Sequence, residues 1–371
     1  MRRGWKSFLF YINLAILAGI LVYILLETIK NNNTGFETKT LWDWMDLLIV
    51  PIVLAFGTFF LNRSENDLER KSTETRAKLE REIAIDRQRE ISLQTYIDRM
   101  GELLLKENLR STENKSAIDM SRVQTLTTLR GLDGRRKGLV IRFIFESELI
   151  NRGKPVVDLS GADLTDAVLQ NEELSYTNLI EVNLLNANLI GANLSGANLF
   201  KANLIKANLS ETDLSKSVLH EVNLASSNLR GADLSNALIN NAILQMTDLT
   251  SAKLTNAELH KTDLSNANLQ KTDLADTNLS LAILINTKMM NADLSFADLS
   301  LADLSNSDLS GADLRYANLE GANLTNTDMR TALFNKTILR NANLKGAKLR
   351  DIALQTSFLE GAIMPDGSIH K

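Results

Sequence analysis

An apolar residue recurs at every fifth position from Leu159 to Met364, through 42 consecutive pentapeptides with no insertion or deletion. Only Ile239, Met289, Met329, Phe334 and Met364 replace Leu in this series. A strict short period over more than half a chain restricts the fold to one that stacks a small unit on copies of itself.

With the leucine as position i, position i−2 is Ala in most units, as at Ala187, Ala192, Ala197, Ala202 and Ala207. Otherwise it is usually Thr or Ser, as at Thr212, Ser227 and Thr272. Position i−1 is commonly Asn or Asp, and i+1 and i+2 vary and are mostly polar. An α-helix does not accommodate this pattern, because residues two apart lie on nearly opposite sides and a period of five smears around the axis. Extended backbone places i−2 and i on one side. One small and one large side chain then point inward and three point outward. Five extended residues bury nothing alone, so the units must coil and stack, with Gly, Asn and Ser at i+1 and i+2 suiting the turns between them.

The run GANLSGANLFKANLIKANLS and its neighbours resemble the pentapeptide-repeat family, whose consensus is A(D/N)LXX. The resemblance covers residues 157–364. It implies a right-handed quadrilateral parallel β-helix over 155–364, with four pentapeptides per coil and a short tail at 365–371. Forty-two units make about ten coils, roughly 50 Å at a strand spacing of ~4.8 Å.

The N-terminal 154 residues read differently. Phe8 to Leu26 is a 19-residue apolar run with one Asn and no charge. Leu47 to Leu61 is a shorter one, preceded by Trp42, Asp43, Trp44 and Asp46. The expectation is a membrane anchor over 1–61 with two spans, about 8–26 and 45–61; one span plus an interfacial segment is the alternative. Arg2, Arg3 and Lys6 precede the first run, and Arg63, Arg70 and Lys71 follow the second. This balance predicts an integral protein of a plasma or thylakoid-type membrane, with both termini and the repeats cytoplasmic and the bilayer as a partner.

Residues 62–109 read as one long charged helix. Leu79, Ile83, Leu93, Ile97, Met100 and Leu104 follow a 3/4 spacing that Asp86 and Glu90 interrupt. Either a coiled-coil homodimer through 79–104 or packing on the chain's own neighbours fits this stripe. Residues 110–154 read as a helical linker with a break at Gly131–Gly134. Two stretches here, LQTYIDRMGELLL and LTTLRGLDGRRKGLVIRFIFESELI, resemble segments of cyanobacterial-type, membrane-anchored members of the family. A solenoid end exposes core and unpaired strand edge, so Leu139–Ile150 is expected to cap the first coil. Ile180, Leu185, Ile190, Phe200 and Ile205 are apolar at outward positions and are the candidate cap contacts. Glu172 occupies an inward position and is expected in a first coil open to water, since burying an unpaired charge is costly.

Composition narrows the chemistry. The chain has no Cys, which excludes disulfides, thiol catalysis and Cys-based metal sites. His220 and His260 lie 40 residues apart, two coils along one face and too far apart to share a metal without other ligands. Residues 1–154 carry 25 Lys and Arg against 20 Asp and Glu; residues 155–329 carry 9 against 22. Such an acidic rod offers no basic groove, so no direct nucleic-acid binding is expected. With no phosphate loop or nucleophile elbow in the sequence, neither an enzyme nor a cofactor is expected.

Residues 20 apart stack if four units make a coil, so the i−1 positions sort into faces. One face carries Asp213, Asp233, Lys253, Asp273, Asp293 and Asp313. The next carries Val218, Leu238, Ile338 and Phe358, and the one after carries Ile243, Ile283 and Ile363. Phe296 and Tyr316, at i+2, stack on one another. Two readings follow. One is a membrane-tethered scaffold that binds an unknown protein partner through the apolar edge. The other is an acidic DNA mimic acting on a topoisomerase-type protein, an activity the family resemblance includes. Phe358, Ile363 and Met364, with Ile338 and Leu333, lie at the far end, where they either cap the last coil or join two copies end to end.

Overall fold

The computed structural model describes residues 41–111, 113–150, 155–350 and 354–371, together with Gly19, Val22 and Tyr23. The chain divides into two units, Met1–Ile83 and Ala84–Lys371. The expected first span, 8–26, lies outside the described residues apart from those three positions.

In the first unit, helix α1 (Leu41–Lys106) begins at Leu41 and continues unbroken past Ile83. The membrane expectation is overturned here: among the described residues, no helix is long and apolar enough to cross a membrane. The uncharged run Leu47 to Leu61 covers about 22 Å at ~1.5 Å per residue, against a hydrocarbon layer of ~30 Å. The same helix passes directly into Asn62, Arg63 and Glu65. The integral-membrane localisation, its topology and the bilayer as partner are withdrawn with it.

In the second unit, α1 from Ala84 onward packs on α2 (Lys115–Gly131) and α3 (Gly134–Glu146). Asn114 caps α2 by accepting the Ser116 and Ala117 N–H groups, and Asp133 caps α3 by accepting that of Arg136. Leu93, Tyr96 and Met100 are buried, and the Tyr96 hydroxyl meets Thr125 Oγ1 at 2.9 Å. Asp86 and Glu90 interrupt the apolar stripe of α1 because both receive Arg136 of α3, at 2.8 and 2.9 Å. The stripe from 86 to 104 is therefore used within the chain, while Leu79 and Ile83 stay exposed.

From Asp163 the chain forms parallel one-residue bridges between positions 20 apart, from Asp163↔Asn183 to Asn343↔Ile363. Four pentapeptides thus make one coil of a four-sided β-helix. No continuous strand forms among the described residues, because each unit turns after three residues. Each unit repeats one hydrogen-bond scheme. Leu184 N–H donates to Asn203 O at 2.7 Å, Asn203 N–H to Val182 O at 2.9 Å and Asn186 N–H to Ile205 O at 3.0 Å. A fourth bond, Ala187 N–H to Leu184 O, closes the corner. The residue at i+2 has positive φ, as at Asn186 (56°) and Asn286 (58°), in the manner of a type II turn.

Inside, Leu at i and Ala at i−2 are buried in columns. Thr and Ser replace Ala at i−2 where a carbonyl is in reach: Thr212 Oγ1 donates to Leu189 O at 2.8 Å, and Thr272 Oγ1 to Leu249 O at 2.8 Å, whereas the buried Ser227 hydroxyl finds no protein partner among the described residues. A satisfied hydroxyl costs little in the core, and an orphaned one costs more.

Helix α3 closes the N-terminal end. Val168 N–H donates to Gly134 O at 2.9 Å, and Val157 N–H to Leu149 O at 2.8 Å. A Cβ on Gly134 would stand 1.8 Å from Asp166 O, and one on Gly138 2.1 Å from Val168 O. Only glycine lets the helix lie this close to the first coil. Lys137 Nζ donates to the edge carbonyl of Thr165 at 3.0 Å, and Arg122 to that of Ser160 at 3.1 Å. Glu172 differs from expectation: it is buried, and Arg142 of α3 grips both its carboxylate oxygens. A charge carried by the cap, not water, compensates it. At the other end, residues 365–371 fold back as a hairpin, with Ile369 antiparallel to Ile363 and His370 N–H donating to Ala362 O.

Candidate functional site

The outward i−1 side chains form four ladders. Asp213, Asp233, Lys253, Asp273, Asp293 and Asp313 stack on one side in consecutive bridges. Their carboxylates are half-buried and committed locally. Asp213, Asp233 and Asp293 each accept the N–H two residues on, from Ser215, Ser235 and Ser295, at 2.9 Å. Asp273 accepts the Ala275 N–H and the Thr255 hydroxyl. Asp313 is forked by Arg315, which holds its carboxyl below the usual range. The same clasp occurs with Asn, as in Asn198 with Phe200 N–H. Asn and Asp thus recur at i−1 because the side-chain oxygen satisfies a corner amide.

The apolar edge divides into separate patches. Val218 bridges to Leu238, and Ile338 to Phe358, but Glu258, Asn278, Asp298 and Asn318 stand between the two pairs. Ile243 lies one face on from Leu238 in the same coil, and both are exposed, as is Met246 at the following corner. Ile283, also exposed, is separated from Ile243 by Asp263. Phe358 is partly covered by the Arg340 guanidinium, 5.6 Å from its ring centroid, and Ile363 is paired with Ile369.

Ile180, Leu185, Ile190, Phe200 and Ile205 are half-buried at turn positions. The polar contacts of the helical cap instead reach Asp158, Ser160, Asp163, Thr165 and Glu172. The sequence reading missed Arg122, Gly134, Lys137, Gly138 and Arg142 as the capping residues. It also missed Leu281 and Leu301, exposed at turn positions with φ of 60° and 59°. Phe296 and Tyr316 stack with centroids 4.8 Å apart and rings parallel within 1°. Among the described residues no group of three or more His, Asp or Glu side chains is placed to hold a metal ion.

A 20-residue coil, an inward Leu–Ala pair and an Asn or Asp clasp at most corners define a four-sided β-solenoid. The family model for pentapeptide repeats matches in eight overlapping copies from 158 to 351, and the chain belongs to the pentapeptide-repeat family. That membership implies a right-handed coil.

Similar solved structures include HetL, a pentapeptide repeat protein involved in heterocyst differentiation regulation from the cyanobacterium Nostoc sp. strain PCC 7120. It is 34% identical, with 62% of this chain and 98% of that chain covered and a TM-score of 0.34. QnrB1, a plasmid-mediated fluoroquinolone resistance protein, is 20% identical over 47% of this chain and 85% of that one, with a TM-score of 0.32. A pentapeptide repeat protein from the Arabidopsis thaliana thylakoid lumen is 27% identical over 33% and 68%, with a TM-score of 0.14. No curated protein sequence gives a significant match.

Proposed function

We propose that this protein is a scaffold that binds a protein partner through the outward faces of its β-helix. The observation that carries the reading is the patch of Val218, Leu238, Ile243 and Met246. It wraps one corner of the solenoid and exposes three large apolar side chains in a single coil. Exposed apolar clusters on folded proteins mark interaction sites. Asn or Asp serves the same ladder position in most other coils, so the fold itself does not require Leu238 or Ile243.

The acidic reading rests on the column Asp213, Asp233, Asp273, Asp293 and Asp313. Lys253 breaks that column in its middle, so it offers no continuous run of negative charge along the coils. That favours the scaffold over a nucleic-acid mimic.

The deciding measurement is affinity capture with the full chain, comparing Leu238→Asn/Ile243→Asn with Asp213→Asn/Asp233→Asn/Asp293→Asn. The scaffold reading expects capture of the wild-type partner to fall at least tenfold in the first variant and to persist in the second. The reverse pattern would establish the acidic column as the recognition surface and sink the assignment to the apolar patch.

A further inference from the structure

A second surface is marked by backbone conformation. Six large apolar side chains sit at positive φ on the turns: Tyr176, Met246, Leu281, Phe296, Leu301 and Tyr316. Four of the six fall between 281 and 316, so they are clustered, not scattered. Left-handed φ suits Gly and Asn and is unusual for a bulky residue, and an outlier of this kind points toward function.

The four residues form two rails. Leu281 and Leu301 stack along one corner, and a Leu301 methyl leans over Gly321 in the next coil. Phe296 and Tyr316 stack along the adjoining corner. Between the rails runs a ladder of Asn278, Asp298 and Asn318. Phe296, Asp298 and Leu301 belong to one coil, so an apolar rim, a carboxylate and a second apolar rim follow in order across a single face. Phe296 is 57% exposed and Leu301 61%.

The electrostatic setting selects the occupant. Residues 276–325 carry seven Asp and Glu against two Lys and Arg. Arg315 is committed to Asp313, and Lys288 stands on the ladder with Asp308, away from the rails. Asp298 receives the Ser300 N–H and the Asn318 amide, both neutral donors. Asp276 shares the corner of the aromatic rail, and Asp293 lies on the face beyond it. The rail already holds one cation: Lys336 Nζ is 5.8 Å from the Tyr316 centroid. A neutral apolar partner would strip water from these carboxylates without pairing them, which is unfavourable. An anionic polymer would be repelled.

We propose that this face docks a basic, amphipathic polypeptide segment, its apolar side chains on the two rails and its Arg or Lys groups over Asp298, Asp276 and Asp293. The inference rests on the scaffold reading and names the chemical class of partner.

The test is selection of a phage-displayed library of random 16-residue peptides on the full chain. Its controls are Phe296→Asn/Leu301→Asn, which places a favoured turn residue at both corners, and Leu238→Asn/Ile243→Asn. The expected result is enrichment of peptides that combine Arg or Lys with Leu or aromatic residues. Their binding falls at least tenfold in Phe296→Asn/Leu301→Asn, weakens as salt rises, and is unchanged in Leu238→Asn/Ile243→Asn. A normal thermal melt of each variant excludes unfolding as the cause. Binding lost only in Leu238→Asn/Ile243→Asn overturns this site and leaves the scaffold reading standing. Enrichment of neutral or acidic peptides, equal binding to all three proteins, or no enrichment also overturns it. The capture experiment on the Leu238 patch then decides the scaffold reading separately.

Discussion

At the scale of the residue, each position of the pentapeptide has one physical task. The leucine fills the core, its small neighbour lets the walls approach, the Asn or Asp holds the corner, and i+2 absorbs the left-handed turn. Asp298→Ala removes acceptors for the Ser300 N–H and the Asn318 amide. A loss of about 1–2 kcal/mol in denaturant unfolding is expected, since partners left unbonded cost more than a bond gains. Leu301→Asn has the opposite sign, because Asn occupies the left-handed region more readily than Leu. A gain of about 0.5–1 kcal/mol is expected in the same assay, and a loss would show that Leu301 is held by the fold. The inward positions were legible because i−2 and i share a side only in extended chain. Leu281 and Leu301 were legible too, as bulky residues where Asn, Gly and Lys prevail, but only once the turn's sign of φ is known. Glu172 was not legible. Its partner Arg142 lies 30 residues back on another element, and no period connects them.

At the scale of the element, the helical cap is a closely fitted part. Gly138→Ala places a methyl against Val168 O and is expected to destabilise the cap by about 1–3 kcal/mol. Hydrogen exchange should show this as faster exchange in the first coil with later coils little changed. Gly131→Ala, where a Cβ meets nothing within 4 Å, is the matched control. Acid should loosen the same junction. Burial raises the Asp158 and Asp163 carboxyls, but hydrogen bonds from Ser160 and Thr165 and the charges of Arg122 and Lys137 outweigh it and lower both below normal. A carboxyl lowered in the folded state stabilises above its unfolded pKa, about 3.9, and that stability is lost as pH falls through the folded value. First-coil protection is therefore expected to hold at pH 5 and decline below about pH 4. Protection rising in acid would contradict these pairings. The sequence signalled that a cap was needed, and its apolar stretch Leu139–Ile150 was visible. The glycine contacts were not, because Gly134 read there as part of a helix break and Gly138 carried no signal of a contact surface.

At the scale of the whole molecule, a solenoid is stabilised chiefly by each coil's contact with its neighbours, so its two ends matter out of proportion to their size. The hairpin of residues 365–371 pairs with the last edge on one side. Truncation after Met364 exposes that edge and is expected to raise self-association, read by sedimentation velocity, since open strand edges template pairing. A truncated chain no more associated than the full one would show the hairpin to be dispensable. The membrane expectation failed at this same scale. An apolar run of sufficient character in isolation is part of one long helix whose continuation is charged, and length along the helix, not composition, decided the outcome.

The unbroken 20-residue register also makes the β-helix an angular scale. The Leu238 patch and the Phe296–Leu301 rails share a face three coils apart, about 14 Å at ~4.8 Å per coil. Deleting four pentapeptides between them, residues 260–279, would bring the two surfaces about 5 Å closer and keep them facing the same way. Deleting one, residues 260–264, would leave the axial distance nearly unchanged and turn one surface a quarter revolution from the other. A partner that touches both surfaces at once would survive the first change far better than the second, so two deletions can separate distance from direction in recognition by this chain.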